Sequence, residues 1–239
     1  MTFPRLWLLA FLAAGLPACT AYEYEEDVFL QVDGSGALRV SGSAAMLGTL
    51  FELPAVTTAD LATYFDREGF ELDTVRETER EARRFLHVSG RFTDWNALCR
   101  HPAFATRRCR LVLGDEASTL ELQVPAARGG VPPGVDPDAV VAFRFHLPST
   151  VRFHTAPEPI QRGNILEWER SVAETFGDEP VSAQIRFDRE SVLATTFRII
   201  ALALGTVVLG VAAAVGLMVR KGRQQLAAEA RSASASTTR

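Results

Sequence analysis

Residues 22–43 read YEYEEDVFLQVDGSGALRVSGS, and this stretch decides the fold class. Tyr22 to Val32 alternates loosely and is rich in Val, Phe and Tyr, the residue types that suit a pleated, half-buried surface. Asp33-Gly34-Ser35-Gly36 is turn chemistry, and Ala37 to Ser43 reads as a return strand. The stretch therefore predicts a β-hairpin. A nucleotide-binding loop is a poor reading of Gly34-x-Gly36, because no third Gly and no helix follow.

Outward from the hairpin, short strands and short helices follow one another without strict alternation. Ser43 to Leu50 reads as a short helix. Thr58 to Glu68 carries Leu61, Tyr64 and Phe65 at helical spacing, with Thr57 or Thr58 as cap and Gly69 as stop. Phe70 to Glu79 and Ala82 to Phe92 are expected to pair, and Asp94 to Cys99 forms a helical turn. Cys109 to Leu113 and Leu120 to Val124 read as strands joined at Gly114-Asp115. Residues 125–138 (PAARGGVPPGVDPD) form a Pro/Gly-rich loop. Val140 to Leu147 and Val151 to Thr155 are strands, and Asn164 to Arg170 with Val181 to Asp188 is expected as a last pair. The absence of β-α alternation disfavours a doubly wound parallel sheet. The expectation is an α+β domain with a curved, mostly antiparallel sheet and two or three short helices, followed by one transmembrane helix.

That helix is Ile199 to Val219, IIALALGTVVLGVAAAVGLMV, 21 residues without a charge. At 1.5 Å per residue it reaches about 31 Å, against a hydrocarbon core of about 30 Å. Arg198 closes one end, and Arg220, Lys221 and Arg223 the other. A buried core helix would carry a polar stripe, and this segment has none. The N-terminus, MTFPRLWLLAFLAAGLPAC, has Arg5, an apolar Leu6–Leu16 stretch too short to span, and then small residues. This is the pattern of a secretory signal peptide over residues 1–18. Two readings of its end stand. Leu16-Pro17-Ala18-Cys19 is similar to a lipobox, which would make Cys19 a lipidated first residue. Cys19-Thr20-Ala21 is a site for plain cleavage after Ala21. Export would place residues 19–190 beyond the cytosol, the anchor and its flanks at 191–221, and a basic, partly disordered tail, 222–239, in the cytoplasm.

The chain is 239 residues with a formal net charge of −4, but the charge is segregated. Residues 20–190 hold 28 acidic and 18 basic side chains, whereas residues 220–239 hold 5 basic and 1 acidic. The domain's acidic excess does not suit nucleic acid, and the tail suits an anionic inner leaflet. Once Cys19 is set aside, Cys99 and Cys109 remain. In an oxidising compartment a disulfide between them is the default, with two buried thiols as the alternative.

No Walker loop, His-Glu-x-x-His or Gly-x-Ser-x-Gly occurs. No catalytic residue, metal or cofactor is assigned, and the expectation is a non-enzyme. His87, His101, His146 and His154 are scattered, although His146 and His154 sit on neighbouring predicted strands. Asp136-Pro-Asp138 reads as turn chemistry. Glu23, Glu25 and Glu26 read as a solvated acidic face. Arg107, Arg108 and Arg110 form the dense basic patch of the domain and are the candidate ligand-binding residues, for an anionic head group or partner.

Three features together resemble the LppM-type domain of bacterial envelope lipoproteins: a signal or lipobox followed by Val28-Phe-Leu-Gln-Val-Asp-Gly-Ser-Gly36, a late Gly163-Asn-Ile-Leu-Glu-Trp168 strand, and one span after the domain. The resemblance covers residues from about Cys19 to Lys221. It implies a curved antiparallel sheet wrapping a helix, and an envelope-associated role with binding of lipids or glycolipids. No catalytic residues come with it. Pro17 and the Cys99/Cys109 loop depart from the pattern. The functional expectation is a membrane-anchored extracytoplasmic protein that binds an envelope lipid or other apolar ligand. The alternative is an interaction or scaffold protein of the cell envelope with no small-molecule ligand.

Overall fold

The computed structural model describes residues 22–54, 56–157, 159–161, 164–190 and 192–236, with side chains left out at 192–195 and beyond 221. The signal-peptide and Cys19 readings lie outside the described residues. The chain divides into two units, one closing at Arg189 and one opening at Glu190.

In the first unit, β1 (Tyr22–Leu30) and β2 (Gly36–Ser43) form the expected hairpin, in register from Tyr24 opposite Gly42 to Leu30 opposite Gly36. Gly34 takes φ 87° in the connecting loop, a conformation open to Gly at little cost. Helix α1 (Ala44–Leu50) starts on Ser43, whose hydroxyl accepts from the Met46 N–H. Helix α2 (Thr58–Phe65) starts on a capping box of Thr57 and Asp60. Strands β3 (Glu71–Arg80) and β4 (Arg83–Phe92) form the second hairpin. Gly90 is needed there, since a Cβ would lie 2.4 Å from the Phe70 ring. Helix α3 (Trp95–Leu98) is capped by Asp94. Strands β5 (Arg108–Val112) and β6 (Ala117–Val124) form the third hairpin. Then come β7 (Val140–His146), β8 (Val151–His154), β9 (Ile165–Ser171), α4 (Val172–Thr175) and β10 (Val181–Asp188).

The α+β, mostly antiparallel architecture is present, spread over two sheets. The larger has the order β3-β4-β2-β1-β7-β9, and the smaller β5-β6-β10-β8. The β1–β7 pair, at the middle of the larger sheet, is parallel, with Asp27 opposite Arg144. Two expectations are corrected. The 164–170 and 181–188 segments do not pair with each other: β9 joins β7, while β10 lies between β6 and β8. β7 and β8 also fall in different sheets. In both cases a short link, Leu147–Thr150 or α4 with residues 176–180, carries the chain from one sheet to the other.

The inner faces of both sheets contribute to one buried cluster. Val28, Leu38, Val88 and Phe145 of the larger sheet share it with Leu111, Leu120, Ile185 and Phe187 of the smaller. Period-2 alternation places these residues on one side of each strand. Within this layer, the gap around Val28, Leu38, Leu98 and Leu122 measures about 10 Å³, at the lower limit for a single water.

The second unit holds α5 (Val192–Ser236, 45 residues). Within it Thr196–Lys221 contains an 18-residue window of mean hydropathy 2.5, none of which is buried. That segment is long and apolar enough to cross a membrane. The helix runs on into the tail expected to be partly disordered, through Gln224-Gln-Leu-Ala-Ala-Glu-Ala, which is rich in strong helix formers.

The β3–β4 connection is a two-residue turn in which Glu81 and Ala82 both have positive φ, 50° and 59°. This is the turn that normally carries Asn-Gly, and a non-Gly residue there is strained by about 1–2 kcal/mol. Ala82→Gly is therefore expected to stabilise the domain by roughly 1 kcal/mol, read as a higher melting temperature; an unchanged or lower value would contradict the turn assignment.

Candidate functional site

Strand β1 presents Tyr24, Glu26, Val28 and Leu30 to the core. A carboxylate in that series is costly unless it is paired. Glu26 is 2% exposed, and Arg107 answers it with two hydrogen bonds: Nη1 donates to Oε1 at 2.6 Å and Nη2 to Oε2 at 2.8 Å. The Tyr24 hydroxyl donates to the same Oε2 at 2.6 Å. The guanidinium lies over the rings of Phe104 and Phe143, at 4.6 and 5.8 Å. Burial pulls the Arg107 pKa down, but the Glu26 charge and its hydrogen bonds outweigh it and leave it above the ordinary arginine value. Burial, then the Glu26 charge, pushes the Tyr24 phenol well above its usual range. Arg107 is thus held as the cation and Tyr24 as the neutral phenol.

Arg107 is positioned by covalent chemistry next to it. Cys99 and Cys109 are joined as a disulfide with Cα atoms 5.9 Å apart. The bridge ties the end of α3 to β5 and brackets the segment that delivers Arg107. In the chain-entropy treatment, closing so short a loop contributes roughly 2–3 kcal/mol.

Tyr24 and Arg107 form the floor of a cleft of about 320 Å³. Leu50 and Phe51 wall it on the α1 side, with Val124, Pro125 and Ala126 opposite, and Thr49, Glu52 and Arg128 also line it. Thr106 and Thr175 line it too, so polar and apolar side chains share the walls, and the volume falls at the low end of the range common for ligand pockets.

The three candidate arginines separate. All three line one open groove, but the Arg107 guanidinium turns inward and is paired with Glu26. It has the same parity as Cys109 and Leu111, which also point inward, and that alternation was the available signal. Arg108 and Arg110 lie on the outward side of β5, beside Glu121, Gln123 and Gln184, in an open groove of about 620 Å³. The reading of the acidic trio is corrected. Glu23 and Glu26 are buried, and Arg83 reaches Glu23 at 2.9 Å. Glu25 meets Arg144 at 2.9 Å. The reason is that β1, which carries all three, is an interior strand of the larger sheet.

Arg144 also bonds Glu167 and sits 4.7 Å from the Tyr22 ring. Tyr22 donates to Glu169 at 2.6 Å; burial and that acceptor push its pKa up to about 12. Sequence reading missed this network, because its members come from three strands far apart in the chain.

The histidines do not converge. His146 bonds Asp27 at 3.0 Å and stacks on Phe29 at 4.0 Å, whereas His154 is in the other sheet. The His87 ring nitrogens meet the hydroxyls of Ser41 and Thr78 at 2.7 and 2.8 Å. His101 sits among Phe65, Phe70 and Phe104, accepting the Ala103 N–H at Nδ1. Its Nε2 faces the Phe65 carbonyl at 3.3 Å, so the Nε2–H tautomer satisfies both contacts. Asp136 accepts the Asp138 N–H at 3.0 Å, an Asx turn. Among the described residues no group of three or more His, Cys, Asp or Glu is placed to hold a metal ion.

Fold and site together define an α+β two-sheet domain with a cleft, carried on a chain that also holds one membrane-competent helix. No protein-family model and no curated protein matches the sequence. Among solved structures the chain is similar to the folded domain of the LppM protein of Mycobacterium tuberculosis, determined by NMR. The identity is 12%, the match covers 73% of this chain and 95% of that one, and the TM-score is 0.41. That likeness assigns no role to any residue.

Two outcomes are expected. Glu26→Gln strands a buried guanidinium and should cost about 3–5 kcal/mol, whereas Glu26→Leu combined with Arg107→Met should recover most of that loss; urea unfolding measures both, and a neutral Glu26→Gln would refute the account. Burial lowers the pKa of His87 and of His101 below the ordinary 6.5, helped at His87 by Arg76 and Arg80. The folded state then binds fewer protons than the unfolded chain, so this contribution to stability is complete above pH 6.5 and is lost as pH falls through the folded values. The melting temperature should drop on acidification in that window, and ring resonances should titrate below 6.5.

Proposed function

We propose that this membrane-associated protein carries its globular domain on the extracytoplasmic side, and that the domain binds the apolar part of an envelope lipid, glycolipid or similar ligand in the cleft over Tyr24 and Arg107. The observation that carries this reading is the cleft itself, about 320 Å³, in which Leu50, Phe51, Val124 and Pro125 give apolar wall among polar neighbours, over a charge-compensated floor. Because Arg107 is already matched by Glu26, the floor favours an uncharged end over an anionic head group. The filled layer between the sheets limits entry to one short apolar segment, such as the end of a chain. Binding rather than catalysis is proposed. The sidedness is supported by the Cys99–Cys109 bridge, which suits an oxidising compartment, and by Arg220, Lys221 and Arg223 after the apolar helix.

The alternative, an envelope scaffold without a small ligand, draws on the 10 Å³ gap between the sheets. It requires an idle cleft and one dominant partner protein on cross-linking.

The test uses the full chain in nanodiscs and a fluorescent medium-chain fatty acid. Ala126→Trp fills the cleft from an exposed loop and should weaken binding at least ~10-fold, the loss of about 1.4 kcal/mol, with the melting temperature unchanged. Equal affinity in the variant, or no binding by the parent chain, would remove the reading.

A further inference from the structure

The outer face of the larger sheet carries a feature that the cleft does not explain. Arg39 on β2 and Arg76 and Arg80 on β3 line one open concavity of about 690 Å³. All three are exposed. Among the described residues none of these guanidiniums has an ion pair or a side-chain hydrogen bond, although the domain is acidic overall. Two of them are nevertheless held in place. Arg39 lies over the Phe29 ring at 4.9 Å and Arg80 over the Phe85 ring at 5.0 Å. A cation–π contact of this kind leaves the N–H donors uncommitted while fixing the group, which lowers the ordering cost of binding an anion.

The register supplies further donors. Arg39 is opposite Ser89, and Ser89 is opposite Thr74. The Ser89 and Thr74 hydroxyls also lack a side-chain partner among the described residues and line the same concavity. A carboxylate has two oxygens, which one guanidinium fork can take. A phosphate has more, and the neighbouring hydroxyls match them. The cations are spread out rather than focused. Arg76 and Arg80 are four residues apart on one strand, about 13 Å, and Arg39 stands two strands away on β2, about 10 Å to the side and about 7 Å farther along than Arg76. No single small anion reaches all three. Asp27, opposite Arg39 on the neighbouring strand, and Glu25 also line the concavity, but both turn to Arg144, at 4.0 and 2.9 Å.

We infer that this face binds a linear phosphate-bearing polymer that runs obliquely from β2 across β4 to β3, with successive phosphates on Arg39, Arg76 and Arg80 and the Ser89 and Thr74 hydroxyls completing the Arg39 position. The site is on the opposite face of the sheet from the cleft and does not depend on ligand binding there.

The probe is linear inorganic polyphosphate, titrated into the full chain in nanodiscs made of zwitterionic lipid alone. Polyphosphate should bind at low salt, with log K falling against log[salt] at a slope of about −2, as three cations on a flexible chain require. Orthophosphate and polygalacturonate should bind at least ~10-fold more weakly. Arg76 makes no hydrogen bond, ion pair or ring contact among the described residues, so Arg76→Gln breaks none and should weaken polyphosphate binding roughly 10-fold, the worth of one charge-assisted contact. Arg39→Gln with Arg80→Gln should remove most of the remainder. Arg108→Gln with Arg110→Gln, in the groove on the smaller sheet, should change nothing. The chain has four histidines, and the ring resonances of His87, which lines the concavity, should shift on titration while those of His154 stay fixed. The inference is overturned if polyphosphate does not bind, if orthophosphate or polygalacturonate binds as well, if Arg76→Gln has no effect, or if the Arg108/Arg110 pair matters as much.

Discussion

The Glu26–Arg107 ion pair is the constraint around which the domain is arranged. It places a carboxylate from the middle strand of one sheet against a guanidinium at the start of the other, inside a layer that is otherwise apolar. Such a pair gains little net stability over a well-packed hydrophobic pair. Its effect is on alignment. A sheet of Val, Leu and Phe can slide over another at small cost, whereas a bidentate fork 2.6 and 2.8 Å from its acceptor cannot. The Tyr24 hydroxyl and the rings of Phe104 and Phe143 narrow the geometry further, and the disulfide two residues away keeps Arg107 within reach. The same arrangement gives the cleft a floor that is polar in structure but neutral in charge.

The outer faces follow a different rule. On the larger sheet the polar side chains divide into a satisfied half and an unsatisfied half. Glu25, Asp27, Glu167 and Glu169 gather around Arg144, each within 4.0 Å. Across β2 and β3, Arg39 and Arg80 stand over aromatic rings instead of pairing with carboxylates. Phe29 and Phe85 would otherwise be apolar surface on a solvent-facing sheet, and the guanidiniums cover them.

What could be seen in the sequence was whatever is local. The three hairpins, the caps at Ser43, Thr57 and Asp94, and the apolar helix all depend on residues close in the chain, and each was legible from turn chemistry or periodicity. The partition into two sheets was not. Residues 164–170 and 181–188 have the look of a hairpin, yet α4 between them turns the chain across the layer, and only the distant partners β7 and β6 decide where each strand goes. The inward turn of Arg107 was legible in principle, from its parity with Cys109 and Leu111. The burial of Glu23 and Glu26 was not, because it depends on β7 arriving beside β1 from far along the chain.

That late arrival shapes how the molecule must assemble. Tyr22 pairs with Val140, so nearly half the chain separates β1 from the strand that completes its pairing. Until β7 is made and docked, β1 is an open edge with Tyr24, Val28 and Leu30 on one side and unmatched backbone along its length. Closing so large a loop is slow, and the intermediate is a ready template for pairing with a neighbouring molecule. Crowded nascent chains would therefore be prone to mispair at this strand, and a holding factor that shields it would matter more for yield than any gain in the final stability.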